Sequence, residues 1–241
     1  MSIWTLTSTT NGQRVWQRPL GVLESASYWS GCWNGAGDTI MHVHLRAMQP
    51  NADEVYAPDN VRRAWASVKR RFPLLAAEVH GEDHGLHFVV REQTVISLQD
   101  GEVTLGTVSS LRGAERFVDD NKDGPRPLSS NMLARVYVLR RMDWPDHIHV
   151  VLTISHCITD GCSTSTVLRS FFQTLATSFD PCPRPIEERL QMYHPIESQI
   201  YPNELSSAKR RWRRAIGYAI YVVRSSRLMV RGAYWYSQVE H

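Results

Sequence analysis

Ser155-His156-Cys157-Ile158-Thr159-Asp160-Gly161 follows directly on Asp146-His147-Ile148-His149-Val150-Val151-Leu152-Thr153-Ile154, and the fold turns on this stretch. The run 146–154 alternates apolar and polar residues and is rich in β-branched types, which predicts a strand with one buried face. Beyond it, Val167, Leu168, Phe171, Phe172, Leu175 and Phe179 recur at helical spacing, which predicts a helix. A histidine therefore stands where a strand gives way to a helix, with an aspartate and a glycine just ahead of that helix. Rigid scaffolds commonly present reactive side chains at such junctions. An imidazole moves protons near neutral pH, and as a general base it has to be held in one tautomer and one direction. Asp160 can lock the turn, pair with an arginine or orient the ring. Gly161 can take a positive φ and turn the chain sharply, with Ser163 or Thr164 as the helix N-cap. The same residues also fit a junction that merely carries a polar histidine, because His-x-x-x-Asp arises often by chance.

Working upstream, residues 132–141 predict a strand that pairs antiparallel with 147–155 across a turn at 143–146. Pro58 lies just ahead of a pattern that predicts a helix running to Arg71, with Val61, Ala64, Trp65 and Val68 on one face, cationic Lys69, Arg70 and Arg71 in its last turn, and a stop at Phe72-Pro73. Segments 74–79 and 86–91 read as strands joined by a hairpin at 81–85, which places His84 and His87 in a loop or at an edge. Residues 93–106 predict a strand and turn, 110–120 a short helix and 121–127 a loop. Near the start, 5–14 predict a hairpin around Asn11-Gly12, 25–37 a loop, and 39–48 a strand with His42 and His44 on one face. Such a pair can hold a metal given a third ligand; without one it is two polar residues on a sheet face, and no metal is expected.

His156-Cys157-Ile158-Thr159-Asp160-Gly161 resembles the HxxxDG motif of the CoA-dependent acyltransferase superfamily, which includes chloramphenicol acetyltransferase, the plant BAHD enzymes, fungal trichothecene O-acetyltransferase-like enzymes and peptide-synthetase condensation domains. Residues 61–75, ending in Phe72-Pro73-Leu74-Leu75, resemble the helix and "hPLL" segment that opens such domains. Pro127-Leu128 ahead of 132–139 resembles the lead into the strand pair before the motif. Condensation domains usually carry a second histidine where Ser155 stands, so the resemblance is nearer the free-standing O- or N-acyltransferases. It implies an α+β fold of the chloramphenicol acetyltransferase type: a two-layer sandwich, its mixed sheet covered by helices, one half only. It implies His156 as the base that deprotonates a hydroxyl or amine, Asp160 as a mainly structural residue paired with an arginine, and Gly161 at the turn. It implies acyl-CoA as co-substrate with no bound cofactor, in an enzyme of the EC 2.3.1 type. Family enzymes have two similar halves with the reaction channel between them, and the second half carries a DFGWG-like segment. No such segment occurs in this sequence, so the expected division is a first-half domain, 1–180, and a connecting segment, 181–241.

Composition bounds the other classes. A chain of 241 residues with 42% hydrophobic and 21% charged residues can bury a sizeable core as a soluble globular protein. A net charge of +3 gives no case for a nucleic-acid partner. Cys32, Cys157, Cys162 and Cys182 lack C-x-x-C spacing, so neither a disulfide framework nor a zinc site is expected, and the two cysteines flanking the motif read as small buried packing residues. No secretory signal and no bilayer-spanning run is found, so the expected setting is cytoplasmic. A serine hydrolase is disfavoured: no G-x-S-x-G elbow is present, and neighbouring Ser155 and His156 point to opposite faces of a strand.

After a proline-rich break at 180–185 and an irregular connection at 186–202, residues 203–229 form a basic amphipathic pattern. Lys209, Arg210, Arg211, Arg213, Arg214, Arg224 and Arg227 surround Trp212, Ile216, Ala219, Ile220, Val223 and Leu228. It can lie on an anionic surface, seat in a partner groove, mediate self-association, or pack on a second half. Two functions therefore stand side by side: an acyltransferase, or the first half of one, acting on a small molecule; and a catalytically inactive truncated half acting as a binding or interaction module.

Overall fold

A computed structural model of the chain describes residues 4–9, 11–34, 37–46, 52–81, 85–177 and 184–195, and then 206–209, 211–212, 215–216 and 218–219. Contacts divide it into two compact units, Met1–His194 and Pro195–His241.

The first unit opens with a hairpin, β1 (Thr5–Ser8) and β2 (Arg14–Pro19), with Gly12 at φ 74° in its turn. This is the hairpin that Asn11-Gly12 predicts, its second strand running on to Pro19. Where a loop is expected over 25–37, the chain forms helix α1 (Val22–Asn34). Its start is held by Glu24, which accepts from Gly21 N–H at 2.6 Å and takes a two-pronged ion pair from the buried Arg18 at 2.6 and 2.7 Å. Glycine, serine and tryptophan are weak helix formers, so this helix rests on tertiary partners that no local pattern reveals.

Strand β3 (Asp38–Arg46) follows, then a short helix α2 (Ala52–Val55), and helix α3 (Pro58–Arg71), which takes in Pro58 and ends where the sequence predicts. Lys69 departs from the expectation of a surface cation at the helix end. It is fully buried, with Nζ 2.8 Å from the Glu102 carboxylate and 2.8 Å from the Ser97 carbonyl. A 3-10 turn, Pro73–Ala76, leads into β4 (Ala77–His80), which pairs antiparallel with β5 (His87–Arg91). Helix α4 (Glu92–Ile96) replaces the first part of the strand expected over 93–106; only β6 (Val103–Val108) is extended. Val95 of α4 is fully buried, so packing rather than alternation decides that segment. Helix α5 (Leu111–Asp123), capped by Ser110, runs into the region read as loop. Then come β7 (Ala134–Arg141), β8 (His147–Ser155), α6 (Gly161–Ala176) and α7 (Ile186–Leu190).

Among the described residues the strands form two four-stranded sheets, β1-β2-β5-β4 and β3-β8-β7-β6. The second is mixed: β6 and β7 run parallel, the other pairs antiparallel. The opening hairpin belongs to the first sheet, so the strand beside β8 is β3. Ile148, Val150, Leu152 and Ile154 of β8 meet Trp65 of α3 and Val167, Leu168, Phe171 and Leu175 of α6 in one core. Burying each such large side chain contributes about 1.5–3 kcal/mol, which is what fastens α6 to the sheet. A second core gathers Trp16, Leu74, Phe88, Val90, Leu133 and Leu190. β8 is not open on one face as its alternation predicts: every residue from His147 to Ser155 is buried. On the same face of the sheet, Phe117 of α5 meets Tyr137 of the neighbouring β7 edge-on at 5.1 Å.

In the second unit, Ser207–Lys209, Arg211, Trp212, Ala215, Ile216, Tyr218 and Ala219 are helical, with Trp212 and Ile216 exposed. The rest of the basic stretch, and likewise His84, Phe179, Cys182 and the end of the 39–48 strand, lie outside the described residues.

Candidate functional site

The loop between β8 and α6 is anchored by the main chain of two other segments. Ser155 N–H donates to Leu133 O at 2.8 Å and His156 N–H to Gly37 O at 2.7 Å. Ile158 N–H returns to Ser155 O at 3.1 Å and closes the turn. The Cys157 side chain plugs into the second core, and Ile158 packs against both cores. The backbone of His156 is thereby fixed while its ring is left exposed to solvent. Nδ1 of that ring is hydrogen-bonded to the Thr159 carbonyl. A carbonyl only accepts, so Nδ1 is the nitrogen that donates, and Nε2 is the one left to exchange a proton. That is the state a general base requires.

Asp160 is the N-cap of α6 in place of Ser163 or Thr164. Its Oδ1 accepts from Ser163 N–H at 2.7 Å, and its carbonyl accepts from Thr164 N–H and Oγ1, both at 2.8 Å. The hydrogen bonds from the Ser163 main chain and side chain, helped by nearby His156, hold its carboxyl below the usual carboxylate range. Ring orientation, expected of Asp160, is supplied by the Thr159 carbonyl. Among the described residues Asp160 has no arginine partner. Gly161 takes the first helical position without a positive φ, and a Cβ there would meet nothing within 4 Å. The sharp entry into α6 thus comes from the extended backbone and cap of Asp160.

The arginine pair near the motif is built elsewhere. Arg126 grips Asp38 through two hydrogen bonds of 2.6 and 2.8 Å, and Asp38 is the register partner of Ser155 across β3 and β8. Gly31 of α1 makes room for it: a Cβ there would lie 2.8 Å from Arg126 Nη2 and 2.9 Å from Asp38 Oδ1. Cys157 is buried, and burial pushes its thiol up to about 12, so it is no nucleophile at neutral pH. Cys162, expected to be buried like it, is exposed on the first turn of α6.

His42 and His44 do share a face, and β8 meets them with two more histidines that the sequence reading left apart. His42 Nε2 lies 2.9 Å from His149 Nδ1, His44 Nε2 lies 2.6 Å from His147 Nδ1, and the His44 and His149 rings stack at 4.4 Å. Among the described residues no group of three or more His, Cys, Asp or Glu is placed to hold a metal ion. The pairing follows from register, with His44 opposite His149, and register is what separate strand patterns do not carry.

No family model matches the chain, and no curated protein does. Solved structures do. The condensation domain of the Monacolin K polyketide synthase MokA superposes with a TM-score of 0.52 at 13% identity, over 68% of this chain and 35% of that one. The tallysomycin biosynthesis protein TlmII gives 0.55 at 16% identity, over 76% and 41%. The starter condensation domain of the rhizomide synthetase RzmA gives 0.51 at 10% identity, over 64% and 37%. At such identities the likeness shows the fold: mixed α/β, sheets covered by helices, of the condensation-domain and chloramphenicol acetyltransferase type. The chain spans about two fifths of the length of the solved chains it matches.

Proposed function

We propose that the chain is a lobe of an acyl-transfer domain, with His156 as the general base that activates a small-molecule hydroxyl or amine toward an acyl thioester, acyl-CoA being the donor. The observation that carries this reading is the exposed imidazole with Nδ1 committed to the Thr159 carbonyl and Nε2 open. In the reaction, Nε2 takes the acceptor proton as the oxygen or nitrogen bonds to the thioester carbonyl carbon. The tetrahedral oxyanion then collapses, the carbon–sulfur bond breaks, and the imidazolium returns its proton to the departing thiolate. Asp160 acts on this reaction through the backbone, as the cap that fixes the far end of the loop. The condensation-domain fold supports the same reaction class. A donor carried on a protein-bound pantetheine rather than on free CoA is the neighbouring possibility, and the assay separates the two.

The test is to incubate the purified chain with acetyl-CoA, and in parallel with an acetylated carrier protein, together with a panel of alcohols and amines, and to measure free thiol. Acceptor-dependent release that vanishes in His156→Ala supports the proposal. No release from either donor by a cooperatively folded chain refutes it as an activity of this chain. It favours the second reading, an inactive binding module, to which the exposed Trp212 and Ile216 lend an apolar surface.

A further inference from the structure

The core formed with α3 and α6 takes the even-numbered residues of β8 from Ile148 to Ile154, so Thr153 points to the other face of the sheet. There the end of α1, the segment 121–127 and strands β3 and β8 line a cavity of about 750 Å³ that is open to solvent, within the range of small-molecule sites. His156 does not line it, so this is a second site beside the motif. Thr153 and its register partner Ile40 form part of its wall. Thr153 is wholly buried and its Oγ1 has no hydrogen-bond partner among the described residues. A hydroxyl taken out of water and left unpaired is a standing cost, relieved when a polar atom enters the cavity. The charges on the wall cancel: Arg126 is neutralised by Asp38, and Lys122 is matched by Asp123. At the rim, Trp33 is 77% exposed and stacks on Trp29 with centroids 5.7 Å apart and planes at 19°, so one indole face is free for a flat partner.

We infer that this cavity binds a small, uncharged, planar ring compound bearing a hydroxyl or carbonyl oxygen, the ring lying against Trp33 and the oxygen reaching the Thr153 hydroxyl. A charged ligand is disfavoured because it would compete with the bidentate Arg126–Asp38 pair or add an unmatched charge to the wall. Occupancy borders the motif loop, since Asp38 faces Ser155 and Gly37 holds the main chain of His156. The inference does not rest on the acyl-transfer reading.

The probes are phenol and 2-naphthol, with cyclohexanol as a non-planar control and benzoate as a charged one, titrated calorimetrically into the full chain. Saturable binding is expected for the two aromatic alcohols, at least tenfold tighter than for either control, unchanged in His156→Ala and accompanied by protection of Cys32 from iodoacetamide as read by peptide mass mapping. Thr153→Val removes one hydrogen bond without changing shape and is expected to weaken binding about tenfold while leaving Tm unchanged or raised. Ile40→Trp fills the cavity and is expected to abolish binding. Absence of saturable binding up to about 10 mM, the weak end of small-ligand affinity, overturns the inference. So does equal affinity for wild type and the isosteric Thr153→Val, or binding that leaves Cys32 as reactive as before.

Discussion

Acidification tests the histidine ladder that fastens β3 to β8. Each His–His hydrogen bond needs one ring to donate and one to accept, and a second proton in either pair replaces an attraction with a repulsion. His149 is wholly buried, and burial, followed by the neighbouring His44 and His42 rings, pushes it from 6.5 down to about 4. His42 and His44 are lowered too, first by burial; Glu115 opposes this at His42, while Arg141 adds to it at His44. The folded value lies below the unfolded one, so the unfolded chain takes up the proton first. Stability is whole above pH 6.5, falls as pH drops toward 4, and levels off below that. At 1.36 kcal/mol per unit, His149 alone removes about 2–3 kcal/mol over that window, with the exposed His44 end of the ladder screening part of it. For a chain of this size the loss is a fall in Tm of roughly 5–10 °C. The assay is chemical and thermal unfolding at pH 7.5, 5.5 and 4.5, comparing wild type with His149→Leu. Carboxylates titrate in both proteins and cancel in the comparison. The variant is expected to lose about 2 kcal/mol less than wild type between the two extremes of pH. Equal losses in the two proteins would refute the reasoning.

Two further outcomes follow from polar contacts, the exposed cap of α6 and the buried Lys69–Glu102 pair. Asp160→Ala removes the cap of α6 and is expected to cost about 1 kcal/mol in urea unfolding, whereas Asp160→Asn, which caps equally well, costs only a few tenths; equal losses would mean that the charge, not the cap, matters. Lys69→Met strands Glu102 in the core, where it also accepts from Trp65 Nε1 at 3.2 Å and Gln99 N–H at 2.9 Å, and is expected to cost about 3–5 kcal/mol. Lys69→Met combined with Glu102→Leu should recover most of that loss, because the pair's attraction barely exceeds its desolvation; a double variant as unstable as the single one counts against this.

Much of the frame was legible because it is local. Helix α3 announces itself by an apolar stripe between Pro58 and Phe72-Pro73, β7 by an apolar run and β8 by a β-branched one, across a tight turn. What the local pattern does not carry is what side chains of other elements decide. α1 depends on Arg18 of the preceding strand β2 turning back to Glu24, and Lys69 looks like a surface cation until Glu102 arrives from a loop. The motif histidine was found by resemblance and its place at a strand end by alternation. The group that orients it was not found, because the Thr159 carbonyl is a main-chain atom every residue has. Asp160 drew the orienting role through its chemistry, and the structure spends that carboxylate on the helix.

That exchange bears on how the loop should respond to change. The contacts that hold the main chain and ring of His156 in place all end on backbone atoms: Gly37 O, Leu133 O through Ser155, and Thr159 O. Side chains support the loop around it: Cys157 in the second core, Ile158 against both cores, the Thr159 hydroxyl 3.0 Å from that of Thr164, and Asp160 at the helix cap. The aim of the ring is therefore a property of the β3–β8 register, of where α6 begins and of the loop length between them. Inserting one residue between His156 and Asp160 moves the Thr159 carbonyl off Nδ1, frees the tautomer, and removes the lone pair from its fixed direction. The fixed interval between His and Asp is in this sense a backbone measurement: it is the length at which a ring at a strand end meets the carbonyl just ahead of the next helix's cap.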